Sequence, residues 1–134
     1  MRHRIQNCFH LILALLFSAM IGCDSKPEIK LVPVSGTVTL DGKPLADGLI
    51  YFKTQATGAT NSLPVKDGKF EGNVEAGDRR VEINAYKVRT EGFGQMGGEV
   101  KESLIPKRFN TESTLTAKVA AGSPNQFNFE VTSK

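Results

Sequence analysis

Thiols and imidazoles carry much of the nucleophilic, metal-binding and proton-transfer chemistry of proteins. This chain of 134 residues holds two cysteines and two histidines. All four of them, His3, Cys8, His10 and Cys23, lie at or before residue 23, and neither residue type recurs downstream. The downstream chain therefore has no means of Ser-His-Asp or Cys-His catalysis and no His/Cys zinc ligands. An internal disulfide there is excluded as well, since Cys23 has no later partner. No catalytic residue, metal or cofactor is expected.

The setting of Cys23 gives it a different chemistry. It follows Gly22 at the end of an apolar run, residues 9–21, interrupted only by His10 and Ser18 and preceded by the basic Arg2-His3-Arg4. The run fits the roughly 7–15-residue core of a secretory signal and falls short of the about 20 apolar residues that a spanning helix needs. Met20-Ile21-Gly22-Cys23 resembles the lipobox of bacterial lipoproteins, with Met20 standing where Leu is most often found. The resemblance implies cleavage between Gly22 and Cys23, a diacylglycerol thioether on Cys23, and acylation of the freed amine. A plain signal or uncleaved anchor is the alternative. A buried core helix is disfavoured by the basic start. Asp24 after the lipidated cysteine resembles an inner-membrane retention signal, so the chain is expected on a cell-envelope membrane, facing the periplasm.

Removing residues 1–22 leaves 112 of the 134, enough for one domain with its own core. Arg2 and Arg4 leave with the signal, so the formal net charge of +3 falls to about +1. No basic block remains to neutralise a run of phosphates, and nucleic acid is not an expected partner.

Other residue groups also offer chemistry. Gly92-Phe93-Gly94-Gln95-Met96-Gly97 spells the G-x-G-x-x-G of dinucleotide sites, but lacks the strand before and the helix after that make the motif work. A glycine-rich loop is the expectation, with Phe93 and Met96 as apolar contacts for a partner or ligand, or folded back on the domain. Asp41, Asp47, Asp67 and Asp78 offer hard oxygen ligands for calcium, yet each sits in a turn where an Asx motif accounts for it. Alternation places Glu82 and Glu130 on solvated faces, and no carboxylate pair is set apart as in a glycosidase. Tyr51 and Tyr86 are candidates for an aromatic platform for sugars, or are half-buried strand residues.

These groups must be positioned by strands. Residues 24–32 (DSKPEIKLV) are charged, contain Pro27 and read as a tether. Thereafter period-two alternation dominates: 34–40, 49–54, from Val65, 70–74, 80–88, 115–119 and 127–131. Asp41-Gly42 and Asp67-Gly68 are hairpin signals. Residues 55–63 and 89–101 read as loops. About seven short strands with turns between them predict an all-β, Greek-key sandwich. Val34-Ser35-Gly36-Thr37-Val38, Asp41-Gly42-Lys43-Pro44-Leu45, Ile50-Tyr51-Phe52 and Asp67-Gly68-Lys69-Phe70 resemble the carboxypeptidase-regulatory-like, transthyretin-like (prealbumin-like) domain. Ile105-Pro106-Lys107-Arg108-Phe109-Asn110 resembles the closing segment of small lipoproteins built on it. The resemblance implies a non-catalytic accessory module. The expected layout is signal 1–22, lipidated tether 23–32 and sandwich 33–134. The expected partners are the membrane, through Cys23, and an envelope protein or polysaccharide, with a carbohydrate- or small-ligand-binding domain as the alternative.

Overall fold

The computed structural model describes residues 29–89, 99–122 and 124–134. Its strands, in chain order, are β1 (Leu31–Leu40), β2 (Lys43–Pro44), β3 (Asp47–Lys53), β4 (Thr60–Lys66), β5 (Lys69–Glu75), β6 (Gly77–Asn84), β7 (Tyr86–Arg89), β8 (Val100–Ser103), β9 (Thr116–Val119) and β10 (Asn125–Val131). One 3-10 turn, Lys107–Phe109, lies between β8 and β9. Among the described residues no helix is long and apolar enough to cross a membrane.

The main sheet runs β10-β1-β5-β4-β3-β6-β9 and is antiparallel except for the β1–β10 pair. β4 and β5 meet in register only at Lys66 and Lys69, beside the Asp67-Gly68 turn. That single junction makes a corner, so β10-β1-β5 and β4-β3-β6-β9 form the two layers of a sandwich. β3, β4 and β5 follow one another and β6 returns beside β3, which is Greek-key order. The all-β sandwich expected from the alternation is the fold found. Both Asp-Gly pairs turn as their residue types require, with positive φ at Asp41, Gly42, Asp67 and Gly68.

Alternation along each strand produces the core. Val34 and Val38 on β1, Ile50 and Phe52 on β3, Val65 on β4, Phe70 and Val74 on β5, Val81 and Ile83 on β6, and Phe129 and Val131 on β10 are all buried. Complete burial of a side chain of this size contributes about 1.5–3 kcal/mol. Phe52, Phe70, Phe127 and Phe129 touch in series, with ring centroids 6.0–6.3 Å apart. Gly36 permits the β1–β10 approach: a Cβ there would lie 1.8 Å from the Phe127 carbonyl oxygen. Asn125 fastens β10 to its surroundings, accepting from the Ala120 N–H at 2.8 Å and donating to the Ala120 and Pro33 carbonyls.

Four details differ from the sequence expectation. β1 begins at Leu31, inside the stretch read as tether, because its backbone continues to pair with β5 as far as Glu75. β4 begins at Thr60 rather than Val65, since polar Thr60, Asn61 and Ser62 complete the pairing with β3. The strand expected over 80–88 breaks at buried Ala85, whose carbonyl accepts from the Leu104 N–H. Finally, β8 lies partly within the segment read as loop. Its four residues are all exposed and show no hydrophobic alternation to announce a strand.

Register fixes which parts share an end. Leu31 pairs Glu75, Lys53 pairs Thr60 and Gly77 pairs Val119 at one end, where the described chain enters. Leu40 pairs Val131 and Asp47 pairs Lys66 at the other. β7 continues beyond Asn84, which pairs Leu49, and so leaves from this second end. β1 is ten residues long, so the two ends stand about 30 Å apart.

Candidate functional site

β7 and β8 form a separate two-stranded ribbon, with Tyr86 opposite Ser103 and Val88 opposite Lys101. Every residue of both strands is exposed. Directly paired residues share a face, so Tyr86 and Val88 present an aromatic ring and a branched aliphatic group side by side, 52% and 48% exposed. On the opposite face Arg89 Nε meets Glu102 Oε2 at 2.7 Å. An isolated two-stranded hairpin is marginal in water. This one is held at its base by the Leu104–Ala85 hydrogen bond and by Ile105, which enters the core directly behind it.

At the root of this arm is a cleft of about 610 Å³. Leu40, Pro44, Leu45 and Ala46 line it with apolar surface, Tyr86 and Leu104 contribute from the arm side, and Asp41, Lys43, Asp47 and Lys87 bring charge. A mostly apolar concavity with a few polar groups is the usual form of a small-ligand site. The two carboxylates are already engaged within the protein. Asp41 Oδ1 accepts from the Ser133 backbone N–H at 2.9 Å, and Asp47 pairs Lys66 at 2.6 Å. Hydrogen bonds from the Ser133 side chain and backbone hold the Asp41 carboxyl below its ordinary range. An ionised, bonded carboxylate suits recognition, whereas a general acid needs its pKa raised.

Tyr51 lies elsewhere. It is half-buried on β3, in register with Ser62 on β4 and Glu82 on β6, and does not line the arm cleft. The neighbouring Lys53 ammonium stands 6.0 Å from its ring centroid. Two tyrosines sharing one platform are therefore not the arrangement found: Tyr86 belongs to the cleft and Tyr51 to a charged cluster on β3 and β6. That cluster corrects the reading of Glu82. Although it points to the outer face, it is 3% exposed because Lys53 Nζ covers it at 2.6 Å and Arg80 pairs its other oxygen. Alternation tells which face a residue occupies but not whether long cations close over it.

Gly22, Cys23, Phe93 and Met96 lie outside the described residues. Among those described, no group of three His, Cys, Asp or Glu side chains is placed to hold a metal ion. The features that sequence reading did not find are the exposed ribbon and Arg79, a cation buried among the core strands. Arg79 occupies an inward position of β6, and its only signal is the phase set by Val81 and Ile83. No family model matches the chain, and neither do curated proteins or solved structures.

Proposed function

We propose that the protein is a non-catalytic lipoprotein of the bacterial envelope, anchored through lipid on Cys23, whose sandwich presents the β7–β8 arm to a neighbouring envelope protein. The observation that carries this reading is the polarity of the domain. The chain enters at Leu31, and the arm leaves from the opposite end of the strands. With the anchor eight residues before Leu31, this polarity favours an orientation in which Tyr86 and Val88 turn away from the bilayer. Supporting it are the lipobox-like Gly22-Cys23, the apolar groups kept exposed on the arm, and the resemblance of residues 33–132 to transthyretin-like accessory modules. Several acyl chains make a firm anchor, at about 0.8 kcal/mol per buried CH₂.

Two measurements test it. Cys23→Ser is expected to abolish labelling by a fatty-acid probe and to release the protein from membranes. Unchanged labelling sinks the anchor. A photo-crosslinker at Val88 is expected to join one stoichiometric envelope protein, with the adduct lost on Tyr86→Ser and absent when the crosslinker stands at Thr57, at the entry end. Equal yields from both positions refute the arm as the contact. The cleft favours a second reading, in which Tyr86 stacks on a sugar ring. A glycan-array signal lost on Tyr86→Ala, without a protein adduct, is its signature.

A further inference from the structure

At the entry end, two polar side chains sit at inward positions of the core strands. Val81 and Ile83 on β6 and Ile50 and Phe52 on β3 are buried in the core; Arg79 on β6 and Thr54, just after β3, share their phase. Arg79 is 5% exposed. Its Nε donates to the Glu75 carbonyl at 2.9 Å, and its Nη2 donates to the Ala76 carbonyl at 2.6 Å and pairs the Glu75 carboxylate at 3.2 Å. The remaining nitrogen, Nη1, is buried without a hydrogen-bond partner, and so is the Thr54 hydroxyl. Both residues line one cavity of about 240 Å³, together with Gln55, Asp78, Arg80 and Thr116.

A buried polar group with no partner is costly, and one acceptor entering the cavity that both residues line could satisfy the two. A guanidinium nitrogen can only donate, so the acceptor must offer oxygen lone pairs. The planar fork of arginine suits phosphate geometry; Arg80 lines the same cavity with its guanidinium engaged by Glu82. Of the nearby carboxylates, Glu75 pairs Nη2, while Asp78, which also lines the cavity, stands opposite Lys118 in register.

We infer that this cavity binds a phosphate group. If the anchor reading above holds, the source is a lipid headgroup, because the cavity lies at the end from which the tether leaves. Ile29 and Leu31, 67% and 57% exposed, flank Lys30 at that end and set aliphatic groups and a cation where a bilayer surface would lie. The domain then touches the membrane it is anchored to through a specific contact rather than through the acyl chains alone.

The test uses the full chain, both acylated and as Cys23→Ser. Inorganic phosphate is titrated while amide resonances of residues 54–56 and 78–80 are followed. Saturable shifts are expected in both forms, so a failed anchor leaves this arm of the test intact. Thr54→Val, isosteric and without the hydroxyl, should keep the fold and weaken phosphate about tenfold. Arg79→Lys should do the same if it folds. Co-sedimentation of the Cys23→Ser chain separates the sources. Binding to phosphatidylcholine vesicles but not to phosphate-free galactolipid vesicles, reduced by Thr54→Val, assigns the headgroup. Phosphate binding without any vesicle preference keeps the site and overturns the headgroup. Absence of saturable shifts, or shifts unchanged by Thr54→Val, overturns the site altogether and leaves the cavity to water.

Discussion

Where β1 begins, Arg79 is almost entirely enclosed and holds the backbone of Glu75 and Ala76 as the chain crosses from β5 to β6. At the other end, the arm exposes every residue of β7 and β8 and holds to the body through its base. The same chain thus concentrates interior contacts at one end and surface at the other. Ligand-contacting elements are commonly drawn from the least stable parts of a fold, because groups kept free for a partner cannot also be buried. The contrast predicts that substitutions at the entry end act on stability, while those on the arm act on association.

Arg79→Ala gives the largest expected effect. It deletes a buried cation, frees two carbonyls and leaves the Glu75 carboxylate mostly buried and unpaired, at a cost of about 3–5 kcal/mol. Urea denaturation should show a much lower midpoint, and an unchanged midpoint breaks the contrast outright. Next comes Asn125→Ala, which removes the side-chain bonds to Ala120 and Pro33 where β10 joins the body. About 1–3 kcal/mol should be lost, measured the same way. The double variant Tyr86→Ser, Val88→Ser should change stability by no more than about 0.5 kcal/mol while eliminating crosslinking from the arm. A large stability loss there would show that the arm is part of the core.

The smallest effect concerns Asp41. Its carboxyl is held below the ordinary range by the side-chain and backbone hydrogen bonds of Ser133. Its contribution is therefore complete above the ordinary aspartate pKa and disappears as pH falls through the lowered folded value. Acidification should lower the protection of the Ser133 amide relative to its intrinsic exchange rate at each pH, and Asp41→Asn should remove most of that pH dependence. Neither should move the global unfolding transition appreciably, because Asp41 is fully exposed.

Much of the fold was legible because it rests on local rules. Alternating Val34 and Val38, or Ile50 and Phe52, marks one buried face, and Asp41-Gly42 or Asp67-Gly68 supplies residues that tolerate positive φ. β8 was not legible, since Val100, Lys101, Glu102 and Ser103 bury no face and owe their strand conformation to pairing with β7. The site was harder to read. Tyr86 could be named as an aromatic candidate, but its cleft depends on Leu40, Pro44 and Leu104, brought together only by the Greek-key path. Arg79 is a charged residue at an inward strand position, where pattern rules expect an apolar one. Its burial depends on carbonyls presented by the crossover at Ala76.

The parallel pairing of β1 with β10 also bears on the order of assembly. Thr37 and Asn128, hydrogen-bonded across that pair, are 91 positions apart. The first strand of the domain thus waits for the last, and half of its edge has no partner until the carboxyl-terminal residues are available. Closure over so long a loop slows folding. On the export proposed above, that delay would keep the sheet from closing on a chain that has only partly crossed.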